Sequence, residues 1–328
     1  MKRWVVLLLL VCLLAVALLS LHVGSAPVPA LGGLLDWLSG REGAAALIVG
    51  EIRLPRTLLA LAVGAALGLS GAALQGLLRN PLADPGLTGA SQGAALGAAG
   101  VFYFGLFPAA GDAAPALAGL LGAGLALLLM LALAGSSRPA MVIMAGLAIS
   151  TLTGAALATV LNFAPNPYAM QELVFWLLGS VSERGLDHLW LLLPALVVGG
   201  ALVLHQRPLL AALSLGDQVA ESLGLPVGRG SRWVVLGVAL LVGASVAVAG
   251  SIGFVGLVVP HLLRSLVGHR PDRLLLPSAL AGAILVCLAD ICVRLLPPQH
   301  ELKLGVLTAL IGAPLFIWLV WKERRRWL

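Results

Sequence analysis

Residues 233–263 read WVVLGVALLVGASVAVAGSIGFVGLVVPHLL, thirty-one positions without an aspartate, glutamate, lysine or arginine. A membrane-spanning helix needs about 20 apolar residues, so this run exceeds one crossing and falls short of two. Gly250, Gly253 and Pro260 supply the breaks. One full span followed by a short apolar helix is the simplest partition. The short helix must be embedded among others, because irregular backbone at membrane depth is tolerated only where protein covers it.

The rest of the chain agrees. Of 328 residues, 60% are hydrophobic and 10% charged, with a mean hydropathy of +1.05, against roughly 25% charged in soluble domains. No water-soluble fold hides that much apolar surface. Forty glycines, concentrated with alanine in 64–76 and 89–100, suit helices that approach closely, since lipid offers no hydrophobic drive for association. Marking charges and Pro/Gly breaks gives ten candidate helix cores, near 4–22, 57–78, 87–107, 115–134, 140–163, 187–205, 232–251, 258–268, 274–296 and 304–321. The expectation is an all-α integral membrane protein forming one polytopic domain over 1–328. Lys2-Arg3 ahead of an uncharged run and small residues at Ser25-Ala26 resemble a secretory signal. That run, about 18 residues, exceeds the roughly 7 to 15 of a signal core and predicts a first membrane helix.

Lys and Arg near span ends concentrate on the cytoplasmic face. With the amino end inside, fourteen basic residues fall in the cytoplasm (among them Arg79, Arg138, Arg207, Arg264 and Lys322) and six outside: Arg41, Arg53, Arg56, Arg184, Arg294 and Lys303. Both termini are therefore expected in the cytoplasm of a cell whose inner membrane holds the chain. Two connections stand out. Residues 162–187 carry a short apolar piece, 173–178, that predicts a helix lying at the outer surface. Residues 207–232 enclose a short charged helix ended by Gly224 and Pro226. Gly71 to Pro81 and Gly250 to Pro260 share one spacing in segments expected to run oppositely, a faint sign of an inverted repeat.

The net charge of +6 is spread singly between apolar runs, with neither a basic face nor stacking aromatics, which argues against nucleic acid. Cys12, Cys287 and Cys292 read as packing residues rather than a disulfide or a metal site. His261 and His269 lack acidic or cysteine partners at ligand spacing. Asp290 is the one carboxylate inside an apolar run, and Arg294 stands a helical turn away as its expected partner.

Three stretches carry more specific information. The first is Arg53-Leu54-Pro55-Arg56, with Gly68-Leu69-Ser70-Gly71 and Gln75, then Arg79-Asn80-Pro81-Leu82-Ala83-Asp84-Pro85. The second is Gly250-Ser251-Ile252-Gly253-Phe254-Val255-Gly256-Leu257-Val258-Val259-Pro260-His261 with Arg264 and Gly268, and the third runs from Leu304-Gly305 through Gly312-Ala313-Pro314. Together they resemble the FecCD-like permease family that imports cobalamin, iron–siderophores and haem, over residues 52–320. Lys303 departs from the family, which usually has Pro there.

The resemblance implies a type II ABC importer fold with an inverted repeat, like that of cobalamin-importer permeases. It further implies a homodimer with the path between its copies, two ATP-binding subunits, and a periplasmic binding protein that delivers a metal chelate. ATP and its magnesium would belong to the partner subunits. No Gly-x-x-x-x-Gly-Lys-Ser/Thr occurs in this chain, and no cofactor or metal is expected on it. By the same resemblance Arg53, Arg56 and Arg294 would dock the binding protein. Asn80, Leu82, Ser136 and Ser137 would narrow the path on the cytoplasmic side. Leu215, Gly216, Asp217, Ala220, Glu221 and Gly224 would form the coupling helix against the ATPase.

Two rival readings are an ion-coupled secondary transporter and a membrane-embedded enzyme. The first needs intramembrane acid or histidine groups, which apart from Asp290 are nearly missing. The second needs a nucleophile or metal cluster within the spans, and none is evident. Iron–siderophore is the expected cargo because it is the family's commonest, with cobalamin and haem as alternatives.

Overall fold

The computed structural model describes residues 3–135, 139–163, 167–296 and 302–327. Every regular element among them is helical. The chain opens with α1 (Arg3–His22), α2 (Ala30–Leu38) and α3 (Ala44–Leu47), which runs through a π-helical stretch (Ile48–Arg53) into α4 (Leu54–Leu78). There follow α5 (Ala90–Phe104), α6 (Ala114–Ala134), α7 (Pro139–Asn162), α8 (Pro167–Leu177) and α9 (Leu186–His205). Then come α10 (Arg207–Leu213), α11 (Asp217–Ser222), α12 (Val227–Ala249), α13 (Val255–Val267), α14 (Pro271–Leu295) and α15 (Leu304–Trp327).

Among the described residues seven helices are long and apolar enough to cross a membrane. With the shorter α5 and α13, and with α15, whose apolar part is limited to Leu304–Trp318, they correspond to the ten expected cores. The largest boundary difference is at the second core, which begins at Ala44 instead of residue 57, in a continuous run of 35 residues. Glu51 and Arg53 lie inside that run, where their charges had marked a loop. The π stretch keeps the helix unbroken there, and α2 folds back on it, Trp37 Nε1 donating to Glu51 Oε1 at 2.7 Å.

Burial sorts the helices. α4 and α12 are covered almost throughout, whereas α1, α7 and α9 leave most of their surface open, with Leu7, Leu14, Met144, Leu147 and Leu152 exposed. The centre is built on close backbone approach. A Cβ at Gly64 or Gly68 of α4 would overlap the carbonyls of Gly282 and Ser278 in α14, so this crossing admits only small residues.

A repeat is visible in helix lengths. α4, α5, α6 and α7 have 25, 15, 21 and 24 residues, and α12, α13, α14 and α15 have 23, 13, 25 and 24. Each short helix starts from a left-handed residue, Gly89 (φ 76°) for α5 and Phe254 (φ 68°) for α13. The two halves run oppositely, because the last turn of α4 meets α11, just ahead of the start of α12, through Arg79 and Asp217. The shared Gly-to-Pro spacing is not the basis of this symmetry: Gly71 lies within α4 and Gly250 caps α12. The two breaks converge, since Pro85 ahead of α5 and Gly71 of α4 both lie against Gly256 in the first turn of α13.

Candidate functional site

The bundle has two ends, named here for Arg56 and Arg79. At the Arg56 end the three expected docking arginines share one buried network. Asp290, 1% exposed, accepts from Arg56 Nε at 2.9 and 3.1 Å and from Arg294 Nε at 2.8 Å. Arg294 also donates through Nη1 to the Ser20 carbonyl at 2.8 Å and through Nη2 to Ser20 Oγ at 2.8 Å, and that hydroxyl lies 2.6 Å from Thr57 Oγ1. Arg53 donates to the carbonyls of Leu21 (2.9 Å), His22 (3.2 Å) and Ala26 (2.5 Å).

The logic is that of a helix end. The last four carbonyls of α1 have no partners within the helix, and a C-terminus carries partial negative charge. Leu19 is closed by the Val23 N–H, Ser20 by Arg294, and Leu21 and His22 by Arg53. Arg56, whose side chain is 18% exposed, is the most accessible of the three. The expected pairing of Asp290 with Arg294 is present, and the second partner, Arg56, comes from 234 residues away.

At the Arg79 end α4 stops in a left-handed residue, Arg79 (φ 52°). The N–H of Asn80 returns to the Gln75 carbonyl at 3.2 Å and that of Arg79 to Gly76 at 3.4 Å, a Schellman closure. Asn80 Oδ1 then accepts the Leu82 N–H at 2.9 Å, and Asp84 Oδ1 the Gly86 N–H at 2.7 Å. Asn80 and Leu82 thus belong to a turn fixed by its own side chains, with Asn80 exposed and Leu82 partly buried. Ser136 and Ser137 lie outside the described residues.

The 207–232 segment forms α10 and α11. Leu209, Leu210 and Leu213 bury α10 against α4 and α14. Gly216 (φ 116°) starts α11 and Gly224 (φ 75°) ends it. Ala220 faces inward, while Leu215, Val219 and Leu223, four apart, present an exposed apolar stripe beside the exposed Glu221. Asp217 pairs with Arg79 at 3.1 Å, tying α11 to the turn that holds Asn80 and Leu82.

One buried polar link is not marked as a site by the sequence. Pro260 has no N–H, so within α13 the Gly256 carbonyl four residues earlier lacks its usual donor. Gln75, 2% exposed on α4, supplies one: its Nε2 donates to Gly256 O at 3.2 Å and Leu257 O at 3.3 Å, and its Oε1 accepts from Arg264 Nη2 at 2.6 Å. The Gln75 and Pro260 positions were both in the motifs; the missing carbonyl partner was the signal.

Among the described residues no three His, Cys, Asp or Glu side chains gather as a metal site, and all three cysteines are free.

Residues 11–322 match the model of the FecCD transport family. The Fe(3+) dicitrate transport system permease protein FecD of Escherichia coli (strain K12) is 39% identical over 324 residues, covering 99% of this chain and 100% of that one. The vitamin B12 import system permease protein BtuC of Salmonella paratyphi A is 41% identical over 328 residues, covering 98% and 96%. A metal-chelate type ABC transporter solved in an inward-facing conformation superposes with a TM-score of 0.83 at 32% identity, covering 98% of this chain and 100% of that one.

Proposed function

The chain belongs to the FecCD transport family, and from that premise we propose that it is the membrane-spanning permease of an ATP-binding-cassette importer carrying an iron–siderophore type chelate into the cytoplasm. The observation that carries this reading is the match along nearly the whole chain to permeases of two chelate importers. Cobalamin and haem are the alternative cargoes, and one of the relatives is named for vitamin B12. The chain is placed in the inner membrane, multi-pass, as one of two identical copies. ATP binds and is hydrolysed on separate subunits, in keeping with the missing phosphate loop.

We assign the Arg79 end to the cytoplasm, on the fourteen-to-six distribution of basic residues. α11 then serves as the coupling helix, with Leu215, Gly216, Asp217, Ala220, Glu221 and Gly224 at the ATPase contact. The exposed Leu215, Val219 and Leu223 on and beside it and the Arg79–Asp217 ion pair support that role, because the pair joins the contact to the turn carrying the proposed gate residues Asn80 and Leu82. Ser136 and Ser137 complete the proposed gate. At the opposite end Arg53, Arg56 and Arg294 set three positive charges against the single buried Asp290. Their excess charge attracts an acidic lobe of a binding protein, with Arg56 nearest to contact. The network also weighs against ion coupling, since Asp290 is held by two arginines.

The test is reconstitution into vesicles with the cognate ATPase and binding protein, following uptake of ferric siderophores, cobalamin and haem. ATP-dependent uptake of one of them is the expected result, and uptake that follows an ion gradient without ATP overturns the proposal. In the same system binding-protein affinity should fall with ionic strength; affinity indifferent to salt takes the arginines out of docking. Gly216→Pro should lower uptake about tenfold while ATP hydrolysis continues, because a ring fixed near φ −65° cannot adopt φ 116°. Unchanged coupled uptake in that variant removes α11 from the mechanism.

A further inference from the structure

At the Arg56 end a cavity of about 880 Å3 opens between the end of α5, the start of α6, α8, residues 180–188 and Lys303. Its size is that of a small-molecule site. The fold builds it from ordinary parts: α8 buries Ala169, Leu173 and Trp176 on one face, and its end is pinned where Ser180 N–H donates to the Ala249 carbonyl at 2.7 Å. A left-handed residue, Glu183 (φ 58°), then turns the chain into α9.

Among the described residues, two uncharged side chains of the lining each hold a buried polar atom without a hydrogen-bond partner. One is Nε1 of Trp176, a residue 7% exposed. The other is Nδ1 of His188, 3% exposed, which lies 3.1 Å from an Asp187 oxygen without hydrogen-bond geometry. A buried indole N–H ordinarily has an acceptor, so an unmet donor stands within the cavity wall.

The charges restrict what that is. Glu172 and Glu183 stand exposed at the mouth with Asp187, against Arg184 and Lys303, whose ammonium sits over the Phe175 ring at 5.6 Å. Three carboxylates facing two permanent cations give no excess positive charge to compensate a polyanion, and carboxylates at an entrance repel it. A neutral ligand rich in carbonyl and N–H groups finds both acceptors and donors.

We propose that this cavity is a substrate subsite within each copy of the permease, taking an uncharged amide- or hydroxamate-bearing lobe of the chelate. Trp176 Nε1 donates to a carbonyl of that lobe, and Glu172 and Glu183 turn polycarboxylate chelates away. The inference rests on the importer reading and sharpens its substrate class.

It is tested by equilibrium binding to the permease–ATPase complex in nanodiscs, without binding protein, using a ferric trihydroxamate chelate, cyanocobalamin and ferric dicitrate as probes. At least one uncharged probe should bind on the order of tenfold more tightly than ferric dicitrate. Trp176→Phe should weaken that probe about fivefold and leave ferric dicitrate unchanged. Glu172→Gln with Glu183→Gln, both at exposed positions, should narrow the gap by admitting the anion. Tightest binding of ferric dicitrate, a ratio untouched by both variants, or binding of none of the probes overturns the subsite. ATP-driven chelate uptake in vesicles, measured alongside, separates the two readings: if it persists, the importer stands and only the subsite falls.

Discussion

Asp290→Ala is expected to lower the unfolding free energy of the detergent-solubilised protein by about 3–5 kcal/mol, the range for removing one partner of a buried charge network. The carboxylate is 1% exposed and is the counter-charge of both Arg56 and Arg294. Its removal leaves Arg294 with the Ser20 and Val23 carbonyls and the Ser20 hydroxyl, and strips Arg56 of its carboxylate partner. Asp36→Ala provides the contrast, because Asp36 and Arg41 form an exposed pair at 3.3 Å worth at most about 1 kcal/mol. Reversible unfolding in mixed micelles reads both. Equal losses in the two variants would show that the Asp290 network carries no special weight. Adding Arg56→Gln to Asp290→Ala should recover part of the loss, as expected for coupled groups.

Gln75→Leu is the second large effect. The substitution preserves apolar packing on α4 but strips the Gly256 carbonyl of the donor that stands in for the N–H missing at Pro260, and removes an acceptor from Arg264. An unsatisfied buried carbonyl and a lost charge-assisted bond together cost about 2–4 kcal/mol. Transport should fall with it, because Gln75 also accepts the Asn80 N–H on its main chain and so adjoins the proposed gate turn. Gln75→Glu separates the two functions of the side chain: it keeps an acceptor for Arg264 and loses the donor to α13. Intermediate stability and uptake are expected for it, measured by thermal unfolding and vesicle uptake. Wild-type behaviour in both variants contradicts the patching role.

Much of this architecture is readable in advance, for a physical reason. Spans must be apolar over a length set by the bilayer, so charge-free runs locate helices, and the short α13 follows from the breaks at Gly250 and Gly253, whereas Pro260, expected to be a third break, lies inside the helix. Where charge enters a helix the rule fails, as at Glu51 and Arg53, whose side chains find Trp37 and the α1 carbonyls only in three dimensions. α2 went unseen because nine residues containing Gly32-Gly33 carry too little pattern. Local pairing such as Asp290 with Arg294 follows from helical spacing. The bond from Arg56 to Asp290 spans 234 positions, and no periodicity reports it. The same holds for the cavity at the Arg56 end: Trp176 and Lys303 look unremarkable apart, and only the meeting of the chain just after α8 with the start of α15, where the Gly305 N–H donates to the Gly179 carbonyl at 3.2 Å, brings them to one wall.

The arginine network has a consequence for biogenesis. Arg53 and Arg56 emerge from the ribosome early, while Asp290 follows Arg56 by 234 residues. At about 5–20 residues per second, the counter-charge arrives roughly ten to fifty seconds later. During that interval the first half of the chain sits at the translocon with Arg56 unneutralised, held at the aqueous interface until the penultimate long helix is inserted. Closure of the network is therefore a late step, and a chain that ends before Asp290 keeps Arg53 on the α1 carbonyls but leaves Arg56 without its counter-charge.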